Sequence, residues 1–374
     1  MILRIPDYFE DFHCLGGMCP DSCCVGWELD IDEATYDYYR SVPGAFGERL
    51  RSSIAMAEED GETARTFCLK VDGRCPFLND ENLCEIVLRL GPEALSEVCT
   101  EYPRRTFVFG PYMTRSLTLS CPEVARMLLT SEPPVHFPEV DLAERVFANA
   151  DAADAEGAEG PDAAFVANVR DRAIEILEDR GKPFAKRLRR YLQYTASVQE
   201  ALENGDLTGR QLYNIEELSS AEADDARAAF AGRNAYQFPE TPDDARAAFA
   251  KRMELLEQLE VLTPRWEKEL EALKTLSAAP PLPDFTDAVR AEHLMTYYTD
   301  RYFPRAWYDG DLLGKAGFAV FSLLVQMDML ALRARENGRA PSAADWIAAA
   351  SLYAKEVENS EYNTEFLLEE LSAW

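Results

Sequence analysis

Apolar positions recur at helical spacing over most of this chain. After Pro161 and Asp162, the residues Phe165, Val169, Ile174 and Leu177 fall on one helical face, and Gly181 stops the run. Lys182 to Leu202 reads as a second helix. Thr241 to Leu276 opens with Thr-Pro-Asp-Asp and runs on to a break at Pro264, where the ring removes a hydrogen bond. Gly317 to Leu330 is apolar on every side, carries Asp328, and reads as a buried helix. Asp32 is placed to cap a helix over residues 33–39. Strand patterns are few. Thr66 to Val71 alternates, and Thr106 to Phe109 with Tyr112 to Leu119 flank Gly110-Pro111 as a hairpin. The expected fold is mainly α with a small β element.

Breaks in the pattern suggest an organisation. A proline-containing connector covers 131–140, an acidic small-residue stretch 151–162, and a proline-rich linker 277–285. We expect a cysteine-rich N-terminal module over 1–130 and a helical domain over 131–374. The latter divides into middle helices (131–285) and a C-terminal helical block (286–374). The octapeptide DDARAAFA occurs at 224–231 and 243–250. Two copies fall short of a solenoid, which needs three or more.

Charge narrows the partners. The 374 residues include 38 basic and 67 acidic ones, for a net charge of −29. Such a surface repels phosphate backbones, so nucleic acid is not expected as a partner. No apolar run reaches the roughly 18 residues of a membrane span, so no membrane partner is expected. The start lacks a basic flank and apolar core, which predicts a cytoplasmic protein with reduced thiols.

All nine cysteines lie between Cys14 and Cys121. Disulfides are disfavoured by the odd number and the reducing compartment. Eight thiols form a spaced constellation: Cys14, Cys19, Cys23 and Cys24, then Cys75, Cys84, Cys99 and Cys121. Ligation explains the crowding, because several thiolates must converge on one ion or cluster. The paired C-x2–4-C knuckles of structural zinc are absent, while proline directly follows Cys19, Cys75 and Cys121, as in a ferredoxin ligand run. A four-iron (4Fe-4S) iron–sulfur cluster is the favoured group, zinc is the alternative, and two sites are open to eight thiolates. Cys68, in TFCLKV, is set aside as a core thiol. His13 beside Cys14 is not expected to ligate. Arg104 and Arg105 can neutralise a cluster or bind a carboxylate.

The stretches PDYFEDFHCLGGMCPDSCCVGWELDIDEATYDYY (6–39), GRCPFLNDENLCEI (73–86), EVCTEYPRR (97–105), SLTLSCPEVARMLL (116–129) and EHLMTYYTDRYFPRAWYDGDL (292–312) resemble the flagellin lysine N-methylase family. The cysteine region also looks like zinc- or iron-chelating cysteine-cluster proteins. The resemblance implies a methyltransferase that moves a methyl group from S-adenosylmethionine to lysine side chains of flagellin, and an iron–sulfur cluster on the shared cysteines. The alternative is a non-catalytic metal-binding or redox-sensing module joined to a helical interaction domain.

Lysine methylation needs a neutral amine, whereas a free lysine has a pKa of about 10.4. Apolar and aromatic walls lower that pKa by desolvation. The segment 292–311 concentrates such groups. From it we expect Tyr298, Tyr308 and Asp309 as catalytic residues, and Arg301 and Asp311 as cofactor contacts, joined by Trp27 from beside the double cysteine. The competing account is structural: aromatics at helical spacing pack cores, and Tyr-Asp-Gly-Asp is a turn. Gly310, Gly314 and Gly317 do not have the G-x-G-x-x-G spacing of a dinucleotide loop.

Overall fold

The computed structural model describes residues 1–27, 29–59, 62–141, 161–205, 242–277 and 285–372. The first copy of the octapeptide lies outside them, as do most of the 151–162 and 277–285 stretches. The second copy sits in a helix over Pro242–Leu256.

Helices dominate, as the spacing predicts. The N-terminal part carries α1 (Glu33–Ser41), α2 (Gly44–Ser52), α3 (Glu85–Leu90), α4 (Glu97–Glu101) and α5 (Pro122–Leu129). The body carries α6 (Ala163–Glu178), α7 (Phe184–Glu203), α8 (Pro242–Leu256), α9 (Pro264–Lys274) and α10 (Ala288–Tyr302). It ends with α11 (Ala306–Asp309), α12 (Leu312–Asn337), α13 (Ala343–Val357) and α14 (Glu361–Ser372). The expected stops are physical. Asp32 caps α1 and Asp162 caps α6, each through its carboxylate on backbone N–H groups, and Pro264 occupies the first turn of α9.

Among the described residues, six strands make two sheets. The expected hairpin is β4 (Arg104–Phe109) with β5 (Tyr112–Leu117). It does not stand alone: β1 (Ile2–Arg4) runs parallel to β5, and β6 (Glu139–Asp141) pairs antiparallel with β1. The second sheet joins β2 (Ile54–Glu59) to β3 (Glu62–Phe67). The alternating stretch read at Thr66–Val71 is therefore only the end of β3, and its partner was not foreseen.

The apolar cores divide the chain elsewhere than at residue 130. A small core joins Leu29, Ile31, Tyr39, Leu50, Phe67, Phe77, Leu78 and Ile86, with Cys24, Cys84 and Cys99 packed against it. Residues 3–12, β5 and α5 instead join the large helical core. At its centre runs α12. That helix is long and apolar enough to cross a membrane, yet 94% of its apolar window is buried inside the protein. Buried ion pairs lock its neighbours: Glu292 with Arg180 and Arg187, Asp300 with Arg170, and Asp328 with Arg252 at 2.7 Å.

Candidate functional site

The cysteine loops converge by backbone pairing. The Cys75 N–H donates to the Cys24 carbonyl at 2.8 Å, and the Gly26 N–H to the Gly73 carbonyl at 3.0 Å. Gly26 has φ +87°, and a Cβ there would stand 2.6 Å from Thr263, so glycine lets this loop meet the segment before α9. Cys84 and Cys121 open α3 and α5, and Cys99 lies within α4. All nine cysteines are free thiols.

Eight of these thiols share one electrostatic neighbourhood. Cys24 feels Cys23, Cys75 and Cys99; Cys99 feels Cys23, Cys75 and Cys84; Cys121 feels Cys19 and Cys23; Cys19 feels Cys14 and Cys23. Cys23 and Cys24 have their sulfurs 3.9 Å apart. Four thiols (Cys24, Cys75, Cys84 and Cys99) line the small core, Cys14, Cys19 and Cys23 lie toward solvent, and Cys121 is buried at the edge of the large core. Burial pushes Cys75 up to about 11 and Cys99 and Cys121 up to about 12. Backbone N–H groups oppose that: Phe77 and Leu78 at Cys75, Ile86 and Val87 at Cys84, Glu123 and Val124 at Cys121. N–H groups two and three residues downstream stabilise a thiolate, as at a helix N-terminus. The Lys355 ammonium reaches this loop too, on Asp21 at 3.1 Å and the Ser22 carbonyl at 2.9 Å. The residues thus suit a thiophilic metal in donor type, number and N–H supply. Among the described residues, however, no three His, Cys, Asp or Glu side chains close around one point.

A cavity of about 1000 Å³ lies between the thiol loops and the helical body. Its walls include Trp27, Arg105, Arg301, Tyr302, Arg305 and Glu358. Glu358 is 7% exposed. One of its oxygens, Oε2, meets Arg301 Nε at 2.7 Å and accepts from the Tyr297 and Tyr302 hydroxyls at 2.8 and 3.2 Å. Burial raises the Glu358 pKa, and Arg301 opposes the rise. Partial desolvation and the nearby Arg301 guanidinium lower the pKa of Arg105, a residue still exposed to solvent. A second cavity, of about 540 Å³, shares Trp27, Asp30, Arg105 and Thr106 with the first and is bordered by Asp32, Glu33, Glu97 and Glu101. The Trp27 indole N–H donates to the Cys23 carbonyl at 2.6 Å, which ties both cavities to the thiol loop.

A stretch of 147 residues, 38% of the chain, is 29% identical to a lysine-N-methylase of Salmonella choleraesuis. A second lysine-N-methylase, from Salmonella typhimurium, is 26% identical over 144 residues. The chain is a distant relative of the lysine-N-methylases. The flagellar biosynthetic protein FliU of Salmonella muenchen is 29% identical over 126 residues, 33% of this chain. The matches span 36% of the length of each lysine-N-methylase and 75% of FliU. No family model and no solved structure matches the chain.

Against this lysine-N-methylase kinship, the residues expected to act together do not all meet. Trp27 and Arg301 line the larger cavity. Tyr298 does not: it is fully buried in the core among Tyr297, Tyr302, Phe318 and Tyr353, and its hydroxyl accepts from Gln326 at 2.8 Å. Tyr308 packs on Trp307 and on Phe107, a wall residue of the larger cavity, and itself lines neither cavity. Asp309 and Asp311 flank Gly310, which has φ +69°. Asp309 accepts from the Asp311 N–H and pairs with Lys315, while Asp311 caps α12 through the Gly314 N–H at 2.8 Å. For Tyr298, Asp309 and Asp311 the structural account therefore holds, because packing and capping use the groups that chemistry would need. Cys68 is corrected as well. It stays apart from the other eight but is exposed, not a core thiol. Glu358 was missed, and no local motif marks it. Arg105 was noted only beside the cysteines, and Arg305 lay unremarked within the aromatic segment.

Proposed function

We propose that this chain takes part in S-adenosylmethionine-dependent N-methylation of flagellin lysines, with its thiols holding an iron–sulfur cluster. The similarity to two lysine-N-methylases and a flagellar biosynthetic protein carries this reading. The larger cavity supports it, with a volume within the range of about 300–1,000 Å³ usual for small-molecule sites. Its walls carry both signs of charge, Arg105, Arg301 and Arg305 with Asp30, Glu260, Glu361 and Glu365, which fits a polar ligand. Bound S-adenosylmethionine supplies an electrophilic methyl group.

The protein's own share is positioning and desolvation. Five carboxylates border the second cavity, Asp30, Asp32, Glu33, Glu97 and Glu101, against three arginines, Arg65, Arg104 and Arg105; the excess favours a lysine ammonium, and Trp27 and Tyr102 offer the apolar face that favours the neutral amine. The shared wall at Trp27 and Arg105 sets the two cavities side by side. Positioning of this kind contributes much of the rate in a transfer that needs no protein nucleophile. For the cluster, Cys24, Cys75, Cys84 and Cys99 are the first four ligands to test, since all four line the small core.

The test combines purified protein, labelled S-adenosylmethionine and flagellin with iron, zinc and acid-labile sulfide analysis. Label on flagellin lysines is the expected result. Unlabelled flagellin, with metal and cofactor both bound, sinks the reading. The alternative of a non-catalytic metal or redox module is favoured by the missing glycine fingerprint, and it gains if metal is bound and S-adenosylmethionine is not.

A further inference from the structure

The hairpin strand β4 is the outer strand of its sheet, which runs in the order β4-β5-β1-β6. One bond fixes which way its backbone turns. The Thr118 N–H donates to the Pro103 carbonyl at 2.8 Å, in register with the pairs from Arg104–Leu117 to Phe109–Tyr112. Hydrogen-bonded pairs alternate along an antiparallel ladder. Arg105, Phe107 and Phe109 therefore turn their N–H and C=O groups toward β5, and Arg104, Thr106 and Val108 turn theirs away from it. Among the described residues, no backbone group bonds to that outer side. Arg104, Thr106 and Val108 are all partly exposed. The register with β5 is unbroken, so β4 has neither a bulge nor a proline, two of the devices that blunt a sheet edge.

This edge opens on both cavities. Arg105 and Phe107 share a sheet face with their partners Ser116 and Thr114, and all four line the larger cavity. Arg104 and Thr106 belong to the opposite face and line the second one. Arg105 and Thr106 line both, so the cavities meet around the strand edge. Together the two linings hold nine carboxylates and five arginines. That excess repels a second copy of a chain whose net charge is −29, and it favours a segment that carries lysine. We propose that the outer edge of β4 binds an extended, lysine-bearing segment of the protein substrate by strand addition, through the backbone groups of Arg104, Thr106 and Val108. Resting on the methylase reading above, the edge supplies the docking mode for that substrate. Side chains of an added strand point alternately to the two faces, so one register delivers the lysine to the second cavity. Main-chain pairing is blind to sequence, so lysines in different surroundings can be served.

The test uses the full chain and a panel of synthetic lysine-containing flagellin peptides, with affinity read by calorimetry. Each peptide is also made with backbone N-methyl groups at every second residue, in either register. That change removes N–H donors and leaves the side chains as they were. One register is expected to weaken binding about ten- to a hundredfold, the loss of two backbone bonds, and the other to leave it within about threefold. The Thr106 and Val108 amides should exchange freely in the unbound protein and become protected when peptide is bound. Neither comparison needs a substituted protein, so neither depends on a variant that folds. Equal sensitivity to the two registers overturns the proposal, as do insensitivity to both and the absence of binding by every peptide. Protection of those amides before peptide is added also overturns it, because the edge is then already taken by this chain or a second copy. Methyl transfer is read separately. Transfer with register-blind binding removes the docking edge and keeps the methylase reading. Register-dependent binding without transfer, with metal and S-adenosylmethionine both bound, keeps the edge and removes that reading.

Discussion

The core between Leu29 and Ala94 contains eleven buried apolar side chains, and the core of the helical body contains sixty-three. The small one rests on three short helices (α1, α2 and α3) and a two-stranded sheet, with Arg49 over Phe77 and the Tyr39 hydroxyl on the Ala94 carbonyl at 2.8 Å as extra ties. The large one buries α12 on all sides and still accommodates four ion pairs within it. Domains with so little core are usually secured by metals or disulfides. Thiols without disulfides line the small core, and thiols are nearly absent from the large one. The contrast teaches that packing accounts for one region, whereas the other pairs a small core with thiols of the kind that ligation would use.

The sharpest way to break this contrast is to withhold the proposed metal. Structural thiolate sites contribute an apparent ~10–16 kcal/mol. A strong chelator, or Cys84→Ser, is therefore expected to abolish hydrogen-exchange protection over residues 24–99 while α10, α12 and α13 stay protected. Cys68→Ser should change nothing. Full protection of 24–99 in metal-free protein would show that eleven side chains suffice. The converse experiment strikes the body. Glu292→Ala strands Arg187, which is 3% exposed, and half-buried Arg180. Breaking a buried pair on one side costs about 3–5 kcal/mol. A large fall in melting temperature is expected with metal content unchanged, and loss of metal along with it would show that the two regions fold as one.

Helix positions were legible because each boundary has a local cause. Asp162, Pro264 and Asp311 stand where a cap or a missing N–H belongs, and local causes are written in neighbouring residues. The pairing of β1 with β5 was not legible. Three residues at the start of the chain carry no period, and their partner lies more than a hundred positions away. The aromatic segment admitted two readings for a related reason. On a helix such as α10, buried on nearly every face, core tyrosines and channel tyrosines have the same spacing. Arg105, Arg305 and Glu358 come from three distant elements, so only the folded chain sets them around one cavity. The eight thiols could be singled out because ligand type and crowding are compositional. Cys68 was kept apart for the wrong reason, since an alternating strand does not say which edge faces water.

Smaller effects sharpen the contrast through the body's charges. Burial, reinforced by the Glu292 carboxylate, raises Glu178 to about 7, and its Oε1 has no hydrogen-bond partner. The unfolded value is near 4.3. Between these values the folded state holds the proton and the unfolded state does not, so this contribution is present below about pH 4.3 and is lost as pH rises through 7. Half-exposure screens it to about 1–2 kcal/mol. Melting temperatures at pH 5 and 8 should therefore differ in wild type, and the decline should flatten in Glu178→Gln. An unchanged slope in that variant would place the pH response elsewhere.

The smallest effect decides between two addresses for the chemistry. Asp311 carries the N-cap of α12 and also meets Ser372. Removing a cap costs about 1 kcal/mol, roughly what a few degrees in melting temperature reports. Asp311→Ala should show that loss and bind S-adenosylhomocysteine as wild type does. Arg105→Ala should show the reverse, with stability nearly unchanged and binding weakened, because its guanidinium meets the cavity and no partner within the described protein. If Asp311→Ala instead loses binding at unchanged melting temperature, the turn around Gly310 is the site after all. The cavity between thiol loops and helices is then a seam between the two cores.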